Sequence, residues 1–367
     1  MGFIGRLPCY GTLEPHKATG VDGVTERAYG EKLEQRLQDL SQRLKDMRHR
    51  PQPKRRSFIP KPGSAKGRPL GISSFEDKLV EAAVKRVLEP ICEPMFEDSS
   101  YGYRPKRGPH QCLDELGRTI QQERVSYIVE ADEEGTPQGS ILSPLLSNIY
   151  LHYALDLWFA RRFKNRCSGP AHYFRFADDF LACFQYKTDA TAFREQLEDR
   201  LQGFSLELAP EKTQCIEFGR FARESARKKG RKPQEFTFLG FTHYCGKTRK
   251  GYFKLKRRTS RKKFGISLRR FTDWARSRRN TLSKGEMLGR AVIRVRGHLN
   301  YYAITDNSDK CRSYVHYARR ILFKWINRKS QRPRYTWQGF QQALHQCRWP
   351  NPYIRKDLNP CRRMQAV

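Results

Sequence analysis

The sequence predicts a mixed α/β or α+β fold through about residue 245, followed by an all-helical basic segment. Three observations carry this. Short apolar runs of strand character alternate with helix-length segments as far as Phe241, the pattern of a sheet covered by helices. Charge then changes abruptly: residues 1–218 hold 32 basic and 31 acidic side chains, residues 219–367 hold 40 and 7. The basic part also keeps apolar residues at helical spacing, as in Phe264, Ile266, Leu268, Phe271 and Trp274, and in Ile321, Leu322, Trp325 and Ile326. A folded helical domain with a cationic surface fits that pattern better than a solvated tail. At about 150 residues per domain, 367 residues allow two or three domains.

The elements follow in order. Residues 31–48 form a polar amphipathic helix. A Pro-, Lys- and Arg-rich stretch at 51–72 holds a short strand at 57–60 and a Gly-rich turn at 63–67. A helix over 76–88 is stopped near Pro90, which has no N–H to continue it. Ser99 to Pro105 is turn-rich, and 109–122 is helical. Val125 to Ala131 is a buried strand ending at Asp132. Gly135 to Gly139 is a loop, and one helix runs from Ser143 to Phe163. Strands at 173–176 and 180–184 flank Asp178 and Asp179. A helix over 188–202, strands at 205–208 and 214–218, and a single strand at 236–241 complete this part. Beyond about 255 only helices are expected.

Lys plus Arg is 72 and Asp plus Glu 38, a net charge of +34. Such a surplus favours nucleic acid or an anionic membrane surface as partner. No run approaches the roughly 18 apolar residues of a membrane span. No helix pairs a broad apolar face with a clean basic one, which leaves little for a membrane-surface role. The opening residues lack an apolar signal core, so secretion is not expected. None of the ten cysteines forms a CxxC pair. That argues for scattered reduced thiols and against a zinc ribbon, a redox motif or a disulfide scaffold.

Asp178 and Asp179 sit between two apolar stretches, 173–177 and 180–184. Buried there, two acids are costly unless solvated, paired or metal-bound. A bare Asp-Asp pair is explained as well by a solvated hairpin turn. Asp132, however, ends a further apolar run. Carboxylates converging at strand ends can hold two Mg²⁺ ions, which prefer oxygen ligands, and two such ions serve phosphoryl transfer.

The motifs around these acids resemble those of the group II intron reverse transcriptase–maturase family. The likeness rests on Lys61-Pro62 with Arg68 to Ile72, Ser100 to Pro105, Gly135 to Gly139 with Leu142 to Asn148, Phe174 to Asp179, Glu211 to Thr213, Phe238 to Phe241 and, near the end, Arg296 to Tyr302. It runs from about Gly20 to Pro360. The resemblance implies an α+β right-hand polymerase, with fingers in 1–124, palm in 125–250 and a helical thumb/maturase domain in 251–367. It implies metal-binding and catalytic roles for Asp132, Asp178 and Asp179, with Mg²⁺ as cofactor. Lys61 and Arg68 resemble the residues that grip the triphosphate. Gln138 and Gly139 resemble the loop against template and nucleotide, and Lys212 the lysine that protonates pyrophosphate. Phe238 to Phe241 resembles the strand supporting the primer end. The partners implied are group II intron RNA, an RNA template with a DNA primer, and dNTPs. A homodimer and a cytoplasmic ribonucleoprotein setting are compatible with it, and a His-Asn-His endonuclease with paired cysteines is not expected.

The chain departs from the family pattern at one place. Asp132-Glu133-Glu134-Gly135-Thr136-Pro137 joins two points that several dozen residues separate in relatives, as if by an internal deletion in the palm. Five residues span at most about 17 Å, so a site is still within reach. The loss of a covering helix would expose one sheet face. Two functions therefore stand side by side: an RNA-directed DNA polymerase that also assists splicing, and a maturase-like RNA-binding protein without polymerase activity.

Overall fold

An antiparallel sheet occupies the centre of the computed structural model, which describes residues 9–13, 17–59, 67–134, 139–208, 213–328 and 335–361. Its middle strand is β3 (Tyr127–Glu134). On one side β3 pairs with β5 (Asp179–Phe184), from Tyr127↔Phe184 to Asp132↔Asp179. β4 (Ala171–Phe176) lies outside β5. The other edge of β3 is shared by β7 (Gln214–Glu217) and the two-residue β6 (Glu207–Leu208). Alternation along β5 explains its unbroken apolar run. Phe180, Ala182 and Phe184 enter one core, Leu181 and Cys183 the other, as expected of a strand buried on both faces.

The first of these cores is closed by α6 (Lys187–Gln202) and by the helical stretch that begins as α5 (Ser143–Leu151) and continues to Phe163, chiefly through Leu151, Leu155, Phe159 and Phe163. The sequence predicts one helix over 143–163. Instead, α5 passes into π turns at His152–Asp156 and Phe159–Phe163. Such wide turns re-aim side chains within a helix. The second core lies under α4 (Pro109–Gln122), which matches its expected bounds.

The N-terminal part packs α1 (Glu26–Gly30), α2 (Leu33–Lys45) and α3 (Phe75–Cys92) around Tyr29, Phe75 and Leu79. Ser74 caps α3 by accepting from the Asp77 amide at 3.1 Å. The helix runs through Pro90 to Cys92, beyond the stop expected at that proline. So close to its end, the ring removes only one hydrogen bond. The expected strand near 57 is β1 (Arg55–Ile59), and its partner β2 (Arg68–Ile72) went unpredicted. Pro69 in β2 is tolerated because this is a two-stranded hairpin with open edges.

The stretch 236–241 is a hairpin rather than one strand. β8 (Phe236–Phe238) and β9 (Phe241–Lys247) flank Leu239-Gly240. β10 (Phe253–Thr259) completes a three-stranded sheet where only helix was expected. The β9–β10 ladder crosses residue 250, where the sequence suggests a domain boundary. After the short α7 (Ala222–Lys228), the remaining helices are α8 (Arg261–Arg278), α9 (Lys284–Tyr302), α10 (Ser308–Asn327) and α11 (Trp337–Gln346), sharing their own core. Ser283 and Glu286 form a capping box at the start of α9. Among the described residues, no disulfide joins the cysteines and no helix is long and apolar enough to cross a membrane.

Candidate active site

The site is built from a strand register. Phe176 pairs with Asp179, so β4 and β5 are joined by only two residues, Ala177 and Asp178. Ala177 adopts φ 58°, the left-handed conformation that tight hairpin turns use. On the next strand Asp132 stands directly opposite Asp179, with Cα atoms about 5 Å apart as in any antiparallel pair. The three expected aspartates thus share one end of the sheet. Asp178 and Asp179 are exposed, while Asp132 is fixed through its backbone register. All three offer only hard oxygen donors, a set that fits Mg²⁺. Among the described side chains, no group of three His, Cys, Asp or Glu converges.

Beneath the Ala177–Asp178 turn lies a buried polar network. Arg175 and Asp156 are 0% and 1% exposed. The Arg175 guanidinium grips the Asp156 carboxylate with two bonds, Nε to Oδ1 at 2.8 Å and Nη2 to Oδ2 at 2.6 Å. Its Nη1 donates to Asn148 Oδ1 at 3.0 Å and to the Ala177 carbonyl at 3.1 Å. Nη2 also reaches Ser100 Oγ at 2.8 Å. Asn148 in turn donates to the Gly102 carbonyl at 2.7 Å. Gly102 abuts the turn so closely that a Cβ would stand 2.3 Å from the Ala177 nitrogen. Asn148, His152 and Asp156 are all buried. At four-residue spacing they would drift around a regular α-helix, and the wide turn at 152–156 keeps them on one face.

The other expected residues are placed unevenly. Arg68 opens β2 opposite Ile59. Gly139 has φ 132°, and a Cβ there would stand 2.1 Å from the Gly71 carbonyl oxygen, so the backbone at Gly139 lies directly on β2. Glu81 fastens the same junction, accepting from the Ile141 amide at 2.9 Å and from Ser73 Oγ at 2.9 Å. Lys61, Gln138 and Lys212 lie outside the described residues. A cleft of about 740 Å³ opens between the β1–β2 hairpin and α5, lined in part by Lys54, Arg56, Leu70, Ser143, Tyr150 and Phe204.

A second turn stands beside the aspartates. Leu239 and Gly240 have φ 48° and 81°, as a type I′ hairpin turn requires. Tyr301, near the end of α9, donates its hydroxyl to the Leu239 carbonyl at 2.8 Å and stacks on Phe241 at 5.8 Å. Burial raises the Tyr301 phenol well above its ordinary pKa, and the Asp179 charge adds to the effect. The motif of Arg296 to Tyr302 therefore meets the Phe238–Phe241 turn and the aspartate edge.

Sequence reasoning assigned no role to Arg175, Asp156, Asn148 or Ser100. Arg175, Asn148 and Ser100 stand inside motifs quoted for the resemblance, and that was the one available signal. Asp156 carried none.

Comparisons with known proteins agree with this architecture. The family described as reverse transcriptase (RNA-dependent DNA polymerase) matches residues 128–243. Group II intron-encoded protein LtrA of Lactococcus lactis subsp. cremoris is 34% identical over 190 residues, covering 39% of this chain and 31% of that protein. Protein YkfC of Escherichia coli (strain K12) is 29% identical over 271 residues, covering 53% of this chain and 71% of that protein. An uncharacterized 91 kDa protein in cob intron of Schizosaccharomyces pombe is 35% identical over 145 residues, 27% of this chain and 18% of that protein. The chain thus spans under a third of LtrA's length. Without gaps, the LtrA alignment would occupy about half of this chain rather than 39%, and the YkfC alignment about three quarters rather than 53%. Both relatives therefore hold internal residues that this chain lacks. The ordered motifs, the reverse transcriptase match over residues 128–243 and the likeness to group II intron-encoded protein LtrA together support a group II intron reverse transcriptase–maturase assignment.

Proposed function

We propose that this protein is an RNA-directed DNA polymerase of the group II intron type, which transfers a nucleotidyl group from a dNTP to a primer 3′-hydroxyl and also binds its intron RNA to assist splicing. The observation that carries this reading is the Asp132↔Asp179 backbone register beside Asp178, which supports a site at that end of the sheet. In this role the three aspartates hold two Mg²⁺ ions, which when bound neutralise charge on the attacking and leaving oxygens. Lys61 and Arg68 bind the triphosphate by charge-assisted hydrogen bonds. The Gln138-Gly139 loop, anchored on β2 through Gly139, orients template and nucleotide. Lys212 gives a proton to the departing pyrophosphate. The turn at Leu239-Gly240 supports the primer end. Residues 1–124 act as fingers, 125–250 as palm and 251–367 as thumb and maturase domain. The cationic C-terminal helices hold RNA through its phosphates, with affinity that falls steeply as salt rises.

Primer extension on an RNA template tests this. Extension is expected with Mg²⁺, and none without it or with Asp178→Ala. One observation favours a second reading, an RNA-binding splicing assistant without polymerase activity: the direct Asp132–Pro137 connection, together with the internal residues present in both relatives. Folded protein that binds intron RNA yet extends no primer would replace the first reading with the second.

A further inference from the structure

Three stretches of chain far apart in sequence meet on one buried guanidinium, and that guanidinium holds the turn carrying Asp178. We propose that Arg175, Asn148 and Gly102 form a positioning device for the Asp178 carboxylate, an inference that rests on the two-ion polymerase reading.

The argument starts from cost. A buried Arg–Asp pair is weak evidence for stability, since apolar residues of similar volume often serve as well. Here the guanidinium's further hydrogen bonds go to Ser100 and to the turn and its wall. Two donors of the guanidinium are committed to Asp156. Nη1 is aimed at the Ala177 carbonyl and at Asn148. The Asn148 amide links the two walls of the turn, since its oxygen accepts from Arg175 and its nitrogen donates to Gly102. Gly102 closes the other wall by backbone contact with the Ala177 nitrogen. The Ala177 peptide is thus held at both ends in a left-handed conformation that alanine disfavours on its own. Rotating it would break the Arg175 bond or drive it into Gly102.

Asp178 follows directly, so its direction is set by a peptide that cannot turn. Arg175 and Asn148 are buried while Asp178 is exposed, so they act through the backbone and not on an ion or substrate. Lysine at 175 would keep the charge but could not bond Asp156, Asn148 and Ala177 together, having no planar fork.

The test compares the full chain with Asn148→Ala and Arg175→Lys, using Asp178→Ala as the ligand-loss reference. Hydrogen exchange of the peptide spanning residues 173–181 reads the turn, Mn²⁺ binding by electron paramagnetic resonance reads the site, and thermal melting reads the fold. Both variants are expected to fold, to exchange faster at the turn but not in α8–α10, and to bind Mn²⁺ about 10-fold or more weakly, the usual effect of losing a ligand's supporting partner. Folded variants with wild-type exchange at the turn overturn the proposal, as does faster exchange throughout the chain. If Arg175→Lys does not fold, Asn148→Ala decides, because it leaves the Arg175–Asp156 pair whole. If neither folds, the network is general scaffold and the proposal falls. Wild-type protein that binds Mn²⁺ no better than Asp178→Ala removes the two-ion reading, while exchange at the turn still decides whether the device exists.

Discussion

Asp132 and Asp179 face each other across the β3–β5 ladder, with Asp178 one residue away. Like charges directly opposite in a sheet are destabilising. On the two-ion reading, a bound cation removes that repulsion, so Mg²⁺ binds the folded state and not the unfolded one. Replacing EDTA with Mg²⁺ at about 100 times its Kd is expected to stabilise the chain by about 2.7 kcal/mol, visible as a higher melting temperature. Asp178→Asn should lose most of that gain. An equal Mg²⁺ response in the variant would place the ion elsewhere. The sequence marked these aspartates because acids among apolar residues demand a reason. It could not mark Arg175, which looks like an outward-facing residue between Phe174 and Phe176 until Asp156 is brought beneath it by a π turn.

Hairpins and basic strands explain most of what was illegible at the level of elements. The helices at 109–122 and 188–202 and the strands around Asp178 were readable because their apolar periodicity is unbroken. Phe236 to Phe241 reads as one strand because its turn is Leu-Gly, not the Asn-Gly or Asp-Gly that usually announces a type I′ hairpin. β10 was hidden for a different reason. Lys254, Lys256 and Arg258 alternate with Phe253, Leu255 and Arg257, so it resembles a basic surface run, yet Arg257 is buried. Its guanidinium bonds the Leu113 and Leu358 carbonyls at 2.6 and 2.9 Å. The β8–β9 turn also holds Leu239 in a left-handed conformation costing roughly 1–2 kcal/mol, and Tyr301 is one of the groups that fasten it. Tyr301→Phe removes that bond and little else. It should cost about 0.5–1.5 kcal/mol in urea unfolding and lower primer extension more than RNA binding. An unchanged unfolding midpoint would mean that the turn holds itself.

Across the whole molecule the dominant ionic fact is the +34 net charge, but the pH response near neutrality comes from histidine. Of nine histidines, His110, His152, His172, His243 and His298 all have pKa values lowered chiefly by burial. His298, stacked on Tyr314 at 3.4 Å, is pushed down to about 3. His243 lies flat on Phe236 at 4.5 Å and opposite Arg257 in the β9–β10 ladder, and that charge lowers it further. The unfolded chain takes up protons at these positions below about pH 6.5, while the folded chain refuses them. Stability is therefore complete above that pH and falls as the solution is acidified toward the folded-state values. His243 and His298 together predict a loss of about 2 kcal/mol between pH 6.5 and 5.5, a window above the range in which carboxylates titrate. Ionic strength must be held constant, because self-repulsion of so basic a chain varies with salt. Denaturant midpoints at pH 7.5, 6.5 and 5.5 measure the effect. His243→Phe keeps the aromatic stack without the titrating ring, so its midpoint should depend less steeply on pH than that of the wild type. Parallel pH profiles for the two proteins would show that His243 takes up its proton in the folded state, against the burial argued for the sheet in which it sits.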